Sequence, residues 1–218
     1  MNALIVAPSE IKGDLVKVPQ ERVMQDIGFE LPLGVLGGGR YWSRIESKSE
    51  KFVIIRVLRE LPLFPRLDVD LAVGLSRPQT IKKVISLAVQ TGVRSLSLIS
   101  SDRGEKSYIS SHLLRPDQLE REVIKSLEQT GDSIPTKIEI YKSWDIFLKD
   151  RPEENAFLLS PQGSRVGEIK TPALVCIGPE AGFSKREEQL MASFNRVKIS
   201  DRVLRVETAV GIVLGKVA

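Results

Sequence analysis

The chain has 218 residues, 42% of them hydrophobic and 28% charged, enough to bury a core and too apolar for a disordered tail. One cysteine, Cys176, and one histidine, His112, exclude an intrachain disulfide framework and a Cys/His metal site. The net charge of +4 permits a nucleic-acid partner without requiring one.

The opening segment, MNALIVAPSE, has no basic region and carries Glu10 early. It reads as a first strand, Leu4–Val6, and not as a secretory signal. No run approaches the length of a membrane span, so cytoplasm is the expected location. Leu15–Val18, Tyr41–Ile45 and Lys51–Leu58 read as further strands, separated by turns at Gly34, Gly37–Gly39 and Ser47–Glu50. Residues 1–66 therefore look like a small all-β barrel or sandwich. Pro62 and Pro65 make Leu61–Arg66 a linker.

From residue 67 the pattern changes to strands alternating with helices. Val69–Leu75 is an apolar strand. Pro78 opens a helix with Ile81, Val84, Ile85, Ala88 and Val89 at helical spacing, ended by Gly92. Ser95–Ile99 is a strand, Pro116–Gln129 a helix and Lys137–Tyr141 a strand. Ser143 caps a short helix through Leu148. Ala156–Leu159 and Ala173–Ile177 are strands, and Ser184 with Glu187 forms a capping box for a helix through Phe194. Val197–Ile199 is a strand and Glu207–Val217 the closing helix. This order predicts an α/β fold with a parallel sheet covered on both faces, and ligand binding beyond the carboxyl ends of its strands.

Three loops follow strands in the last third: Ser160–Gly163, Gly178–Gly182 and Ser200–Arg205. Their glycines allow backbone to approach a ligand, and Leu159, Ile177 and Leu204 supply apolar walls. That combination suits an adenine ring better than a phosphate, because no lysine-bearing phosphate loop and no dinucleotide fingerprint is present. The plainer alternative is that GPEAG makes only a tight strand-to-helix turn. Cys176 sits inside an apolar strand and reads as an inert buried thiol. A Ser-His-Asp triad would have to use His112, in a polar loop.

Gly178-Pro179-Glu180-Ala181-Gly182-Phe183-Ser184, followed by Arg202-Val203-Leu204-Arg205-Val206-Glu207-Thr208-Ala209, closely resembles the paired signatures of the ribosomal RNA uridine-N3 methyltransferase family of the SPOUT superfamily. The likeness runs along essentially the whole chain and is most specific in these two stretches. It implies an N-terminal PUA-like β-barrel over 1–66 that binds RNA, and a SPOUT α/β domain over 67–218 with a C-terminal trefoil knot. It implies S-adenosylmethionine as methyl donor, transfer to N3 of a uridine in 16S ribosomal RNA of the small subunit, and a homodimer, with no metal and no membrane. The cofactor-binding positions carry over as Leu159 and Ser160; Ile177, Gly178, Pro179, Glu180 and Gly182; Ile199 and Ser200; and Val203 and Leu204.

Uridine N3 carries a proton that must leave, so a base or an anion-stabilising cation is required. Arg205 is the catalytic candidate for the cation or for a substrate phosphate contact. Glu207 is the candidate base or the orienting partner of Arg205. Arg40, Arg44, Lys82, Lys83, Arg94, Arg103 and Lys106 are cations able to track an RNA backbone, and Tyr41 and Trp42 could stack on bases. The chain departs from the family pattern at Ala181, where glycine is usual. It departs also at Asp132 (arginine), Gln90 (glutamate), Arg77 (lysine), and Met24–Gly28, which lacks the usual histidine and arginine. These losses leave a second expectation open: a divergent relative without transferase activity, or one with another RNA target.

Overall fold

The computed structural model describes residues 2–149 and 155–217. The described chain divides into two compact units: residues up to Pro65 together with Val123–Pro135, and Arg66–Glu122 together with the chain from Thr136 onward. The first unit thus takes in 123–135, which the expected boundary at residue 66 assigned to the second. No helix of the described residues is long and apolar enough to cross a membrane.

The first unit is built on one six-stranded sheet. Its strands are β1 (Leu4–Val6), β2 (Ile11–Lys12), β3 (Leu15–Pro19), β4 (Glu30–Val35), β5 (Arg40–Lys48) and β6 (Phe52–Leu61). Their order is β1-β4-β5-β6-β3-β2, with β1 and β4 parallel and the other neighbours antiparallel. Among the described residues no ladder joins β1 to β2, so hydrogen bonds between these strands do not close the sheet. Yet Leu4, Val16, Leu33, Ile45 and Ile55, one from each of five strands, share one buried cluster, with Ile11 of β2 packed against it. Edges and centre can meet on one cluster only if the sheet curls.

The second unit carries an all-parallel sheet of β7 (Leu67–Gly74), β8 (Val93–Ile99), β9 (Lys137–Tyr141), β10 (Ala156–Arg165), β11 (Ala173–Ile177) and β12 (Asn195–Lys198). Its order is β12-β10-β11-β7-β8-β9. Helix α1 (Pro78–Thr91) begins on its proline and ends at Gly92, whose φ of +69° completes a left-handed cap donating to Ala88 and Val89 carbonyls. The others are α3 (Trp144–Leu148), α4 (Lys185–Leu190) and α5 (Val206–Leu214), while α2 (Pro116–Thr130) is divided between the units at Val123. Side chains alternate along each strand. Ala72, Leu158, Leu174 and Cys176 face a cluster with Trp144 and Phe147 of α3, Phe183, and Met191 just after α4. Trp144 is fully buried, edge-on to Phe147 and to Phe183 with centroids 5.8 and 5.1 Å away. Each such pair adds about 0.5–1.5 kcal/mol beyond area burial. Helix α1 packs instead on α5, and the two touch β8 and β11.

Strand β10 is longer than the four residues expected. Ser160–Gly163 falls inside it as a break in register: both Leu159 and Ser164 pair with Val197, so the four residues between them pass around that position. Only glycine fits at the crossing. A Cβ on Gly163 would lie 2.4–2.6 Å from the backbone N, Cα and C of Val197. Gly163→Ala is therefore expected to destabilise the fold by about 3 kcal/mol, the upper end of overpacking costs. A urea midpoint lowered at constant slope would show it; an unmoved midpoint would refute the tight crossing.

Candidate functional site

Because every strand of the second sheet runs the same way, the chain leaves β7, β8, β10, β11 and β12 at one edge, where open parallel sheets take ligands. A cavity of about 420 Å³ lies in this unit, inside the ~300–1,000 Å³ range of small-molecule sites. Leu159 and Ser160 line it from β10. Ile177, Gly178, Pro179, Glu180 and Gly182 line it from the turn after β11, and Ile199, Ser200, Val203 and Leu204 from the loop after β12. The structure thus brings together all eleven positions singled out for cofactor binding. Val206, Ala209 and Phe183 add apolar wall that sequence reasoning missed.

The turn after β11 is held by local chemistry. The Gly182 N–H donates to the Pro179 carbonyl at 2.8 Å, and Gly182 has φ +71°. Ala181 needs no such conformation, so the second glycine of the family pattern is dispensable here. Gly178 lines the cavity and is also close-packed within the turn: a Cβ there would stand 3.2 Å from Gly182 and Phe183, so a side chain would press on the loop. Gly74, at the end of β7, was not anticipated: a Cβ there would lie 2.5 Å from Pro179 Cδ and 2.6 Å from its nitrogen. Glu180 points back to α1 and accepts from the Arg77 N–H at 3.2 Å.

The capping box of α4 extends beyond its helix. Glu187, 0% exposed, accepts from the Ser184 N–H with one oxygen and from the Asp102 N–H with the other, both at 2.8 Å. Asp102 accepts in turn from Arg186 and from Ser184 Oγ. The Arg186 guanidinium, then the Ser184 hydroxyl, hold its carboxyl below the ordinary range. Trp144 Nε1 donates to Ser101 Oγ at 2.7 Å. The loop after β8 is thereby fixed beside the cavity, where Arg103 joins the lining and donates to the Ala181 carbonyl at 3.3 Å.

Arg205 and Glu207 are not on the cavity wall. Arg205 is exposed at the N-cap of α5, and its side chain makes no capping bond. Glu207 accepts from Lys83 Nζ of α1 at 3.1 Å. Its own backbone N–H, then Lys83, hold its carboxyl below the usual carboxylate range, which weakens it as a base.

Several cations expected to track RNA are otherwise engaged. Arg40 is buried, 8% exposed, and donates to the Gly131 and Pro62 carbonyls. Arg44 pairs with Glu30, Lys82 with Glu122, Lys83 with Glu207, and Arg94 with Asp68 and Asp70. Trp42 donates its indole N–H to Glu30 at 2.6 Å, and Tyr41 packs on the first unit's core. Asp132 is 5% exposed and accepts from the Ser133 and Ile134 N–H groups, so this acidic replacement caps a turn from a buried position.

A parallel α/β sheet with a mixed polar and apolar cavity at its carboxyl edge places the chain among α/β domains built to take a small-molecule ligand there. The chain belongs to the RNA methyltransferase domain family, whose profile matches residues 64–218. It is 26% identical to ribosomal RNA small subunit methyltransferase E 1 of Borreliella burgdorferi over 81% of this chain and 77% of that protein. Identity to ribosomal RNA small subunit methyltransferase E of Aquifex aeolicus is 27%, over 96% of this chain and 91% of that one. The crystal structure of ribosomal RNA small subunit methyltransferase E from Neisseria gonorrhoeae, bound to S-adenosylmethionine, superposes with a TM-score of 0.82. It is 22% identical and covers 99% of this chain and 95% of that one.

Proposed function

We propose that this chain is an S-adenosylmethionine-dependent methyltransferase acting on N3 of a uridine in 16S ribosomal RNA, through a PUA-like first unit, a knotted second unit and a homodimer. The observation that carries the reading is the convergence of three loops, distant in sequence, on one cavity within a family of RNA methyltransferases. The lining fits the donor chemically. Leu159, Ile177, Leu204 and Ala209 offer apolar faces for a purine, and the two glycine-bearing turns offer backbone edges to read it. When bound, S-adenosylmethionine supplies a methyl group activated by its sulfonium. Catalysis by the chain then consists mainly of placement and charge.

Arg205, outside the donor cavity, takes the substrate side, where its guanidinium stabilises negative charge on the uracil as N3 loses its proton. Glu207, tied to Lys83 and weakened as a base, takes the positioning role. The knot has its support in the detour of 160–163 around Val197, followed by the pairing of Ile169 with Val217. The dimer has its support in apolar side chains left exposed on the second unit, Val203 of the cavity lining at 92% and Ile212 of α5.

One observation favours a different RNA target. Met24, Ile27 and Phe29 are exposed on the first unit, in a segment that carries no Lys or Arg of its own and whose Met24 and Gln25 carbonyls engage Lys48. The decisive experiment incubates the protein with labelled S-adenosylmethionine and small subunits lacking the modification, then maps the labelled nucleotide. Label at a uridine N3 is expected; normal cofactor binding without transfer would overturn the assignment.

A further inference from the structure

Around the cavity most charges are matched. Glu188 pairs with Arg196 at 3.2 Å, Asp201 with Lys198 at 2.8 Å, and Glu180 accepts a backbone N–H. Arg103 and Arg202 are the lining cations without a carboxylate partner among the described residues. The two are held differently. The Arg202 loop is tied locally, by its own N–H to Ser200 Oγ. The chain around Arg103 is fixed on both sides: Ser101 by Trp144, Asp102 by Glu187, Ser184 and Arg186, and Gly104 by the Ser101 carbonyl. Arg186 reaches on to Asp145 with bonds of 2.7 and 2.8 Å, so the brace runs from α4 to α3. A fully buried carboxylate is costly unless its partners are complete. Here Glu187 accepts from two backbone N–H groups, one of them next to Arg103.

We propose that Arg103 is an oxyanion-binding residue of this cavity, and that Asp102, Arg186 and Glu187 are positioning residues that hold it there. The proposal rests on the methyltransferase reading of the site. A planar guanidinium suits either of two oxyanions that the reaction brings: the carboxylate at the amino-acid end of the cofactor, or a phosphate of the RNA strand. Its one bond among the described residues, to the Ala181 carbonyl at 3.3 Å, leaves four of its five N–H donors for such a ligand.

The test compares wild type, Arg103→Gln, Arg103→Lys and Asp102→Asn in two binding arms, with Lys142→Gln as a control for net charge. Calorimetry measures S-adenosylhomocysteine, which keeps the carboxylate, against methylthioadenosine, which lacks the amino-acid end. Filter binding measures a single-stranded uridine-containing RNA across salt concentrations. If the cofactor carboxylate is the ligand, Arg103→Gln loses about ten- to a hundredfold in affinity for S-adenosylhomocysteine and nothing for methylthioadenosine. If an RNA phosphate is the ligand, both nucleosides bind normally, RNA affinity falls and the salt slope drops by about one. In either case Arg103→Lys recovers part of the loss, and Asp102→Asn moves the same quantity by less. A fold defect would instead weaken both nucleosides together. Wild-type binding with Arg103→Gln unchanged in both arms overturns this proposal alone. Wild type without affinity for nucleoside or RNA overturns the proposed function and this inference with it.

Discussion

Arg205→Ala is expected to lower the methyl-transfer rate by about 10²–10³-fold, the usual loss when one charge-stabilising group is removed, while cofactor affinity and fold stability stay unchanged. Three features separate these quantities. The side chain is exposed, so its removal opens no core. It makes no capping bond to α5, so alanine costs the helix no hydrogen bond. It is absent from the lining of the cavity, so a ligand held there keeps its contacts. Single-turnover transfer and calorimetry on the same preparation make the comparison. A rate within experimental error of wild type would remove Arg205 from the mechanism, and a parallel loss of cofactor binding would place it on the donor side.

Gly74→Ala is expected to weaken cofactor binding by about ten- to a hundredfold, from an overpacking cost of ~1–3 kcal/mol. A single methyl would overlap both Cδ and the backbone nitrogen of Pro179, and would stand 2.9 Å from Ser101 Oγ. Pro179 cannot retreat alone, because its carbonyl accepts the bond that closes the turn at Gly182. The whole turn must shift, and with it the stretch of cavity wall from Ile177 to Phe183. Gly182→Ala makes the informative contrast. Its Cβ would meet nothing within 4 Å, so its penalty is the backbone strain of φ +71°, about 1 kcal/mol. Calorimetric titration of both variants checks the order; equal affinities would show that strand and turn are not coupled.

The parallel sheet was legible because its strands are short apolar runs separated by helices with clean punctuation. Pro78 and Gly92 mark both ends of α1, and Ser143 and Ser184 cap α3 and α4 as their spacing implies. What escaped was strand carrying breakers. β4 reads Glu-Leu-Pro-Leu-Gly-Val, and its proline conceals it. Pro32 is tolerated because β1 pairs with β4 only from Leu33 onward, so the edge where its N–H is missing has no partner to satisfy. Pro161 and Gly163 hid the far end of β10 in the same way. That the loops after β10, β11 and β12 share one cavity was legible because each follows an apolar strand, and two of them carry the motifs at 178–184 and 202–209. The supports were legible only in part: Gly74 lies 105 residues from Pro179 and only the fold sets them together, and Glu187 was legible as the capping partner of Ser184 but not as the acceptor of the Asp102 N–H. Nor could sequence reveal that Arg40 is buried and Asp132 caps a turn, since charge alone does not say which way a side chain faces.

The cavity draws its wall almost wholly from the last third of the chain, with Arg103 as the early contributor. During synthesis β7 and β8 leave the ribosome long before the residues that make a binding site of their edge. A nascent chain ending before Asn195 has β10 and β11 but lacks β12, the loop beyond it and Ala209. The cavity wall is then complete only once β12 lies against Gly163. A ligand that binds only the finished form pulls the folding equilibrium toward it. A ligand of this cavity thereby stabilises the placement of the last segment as well as its own contacts.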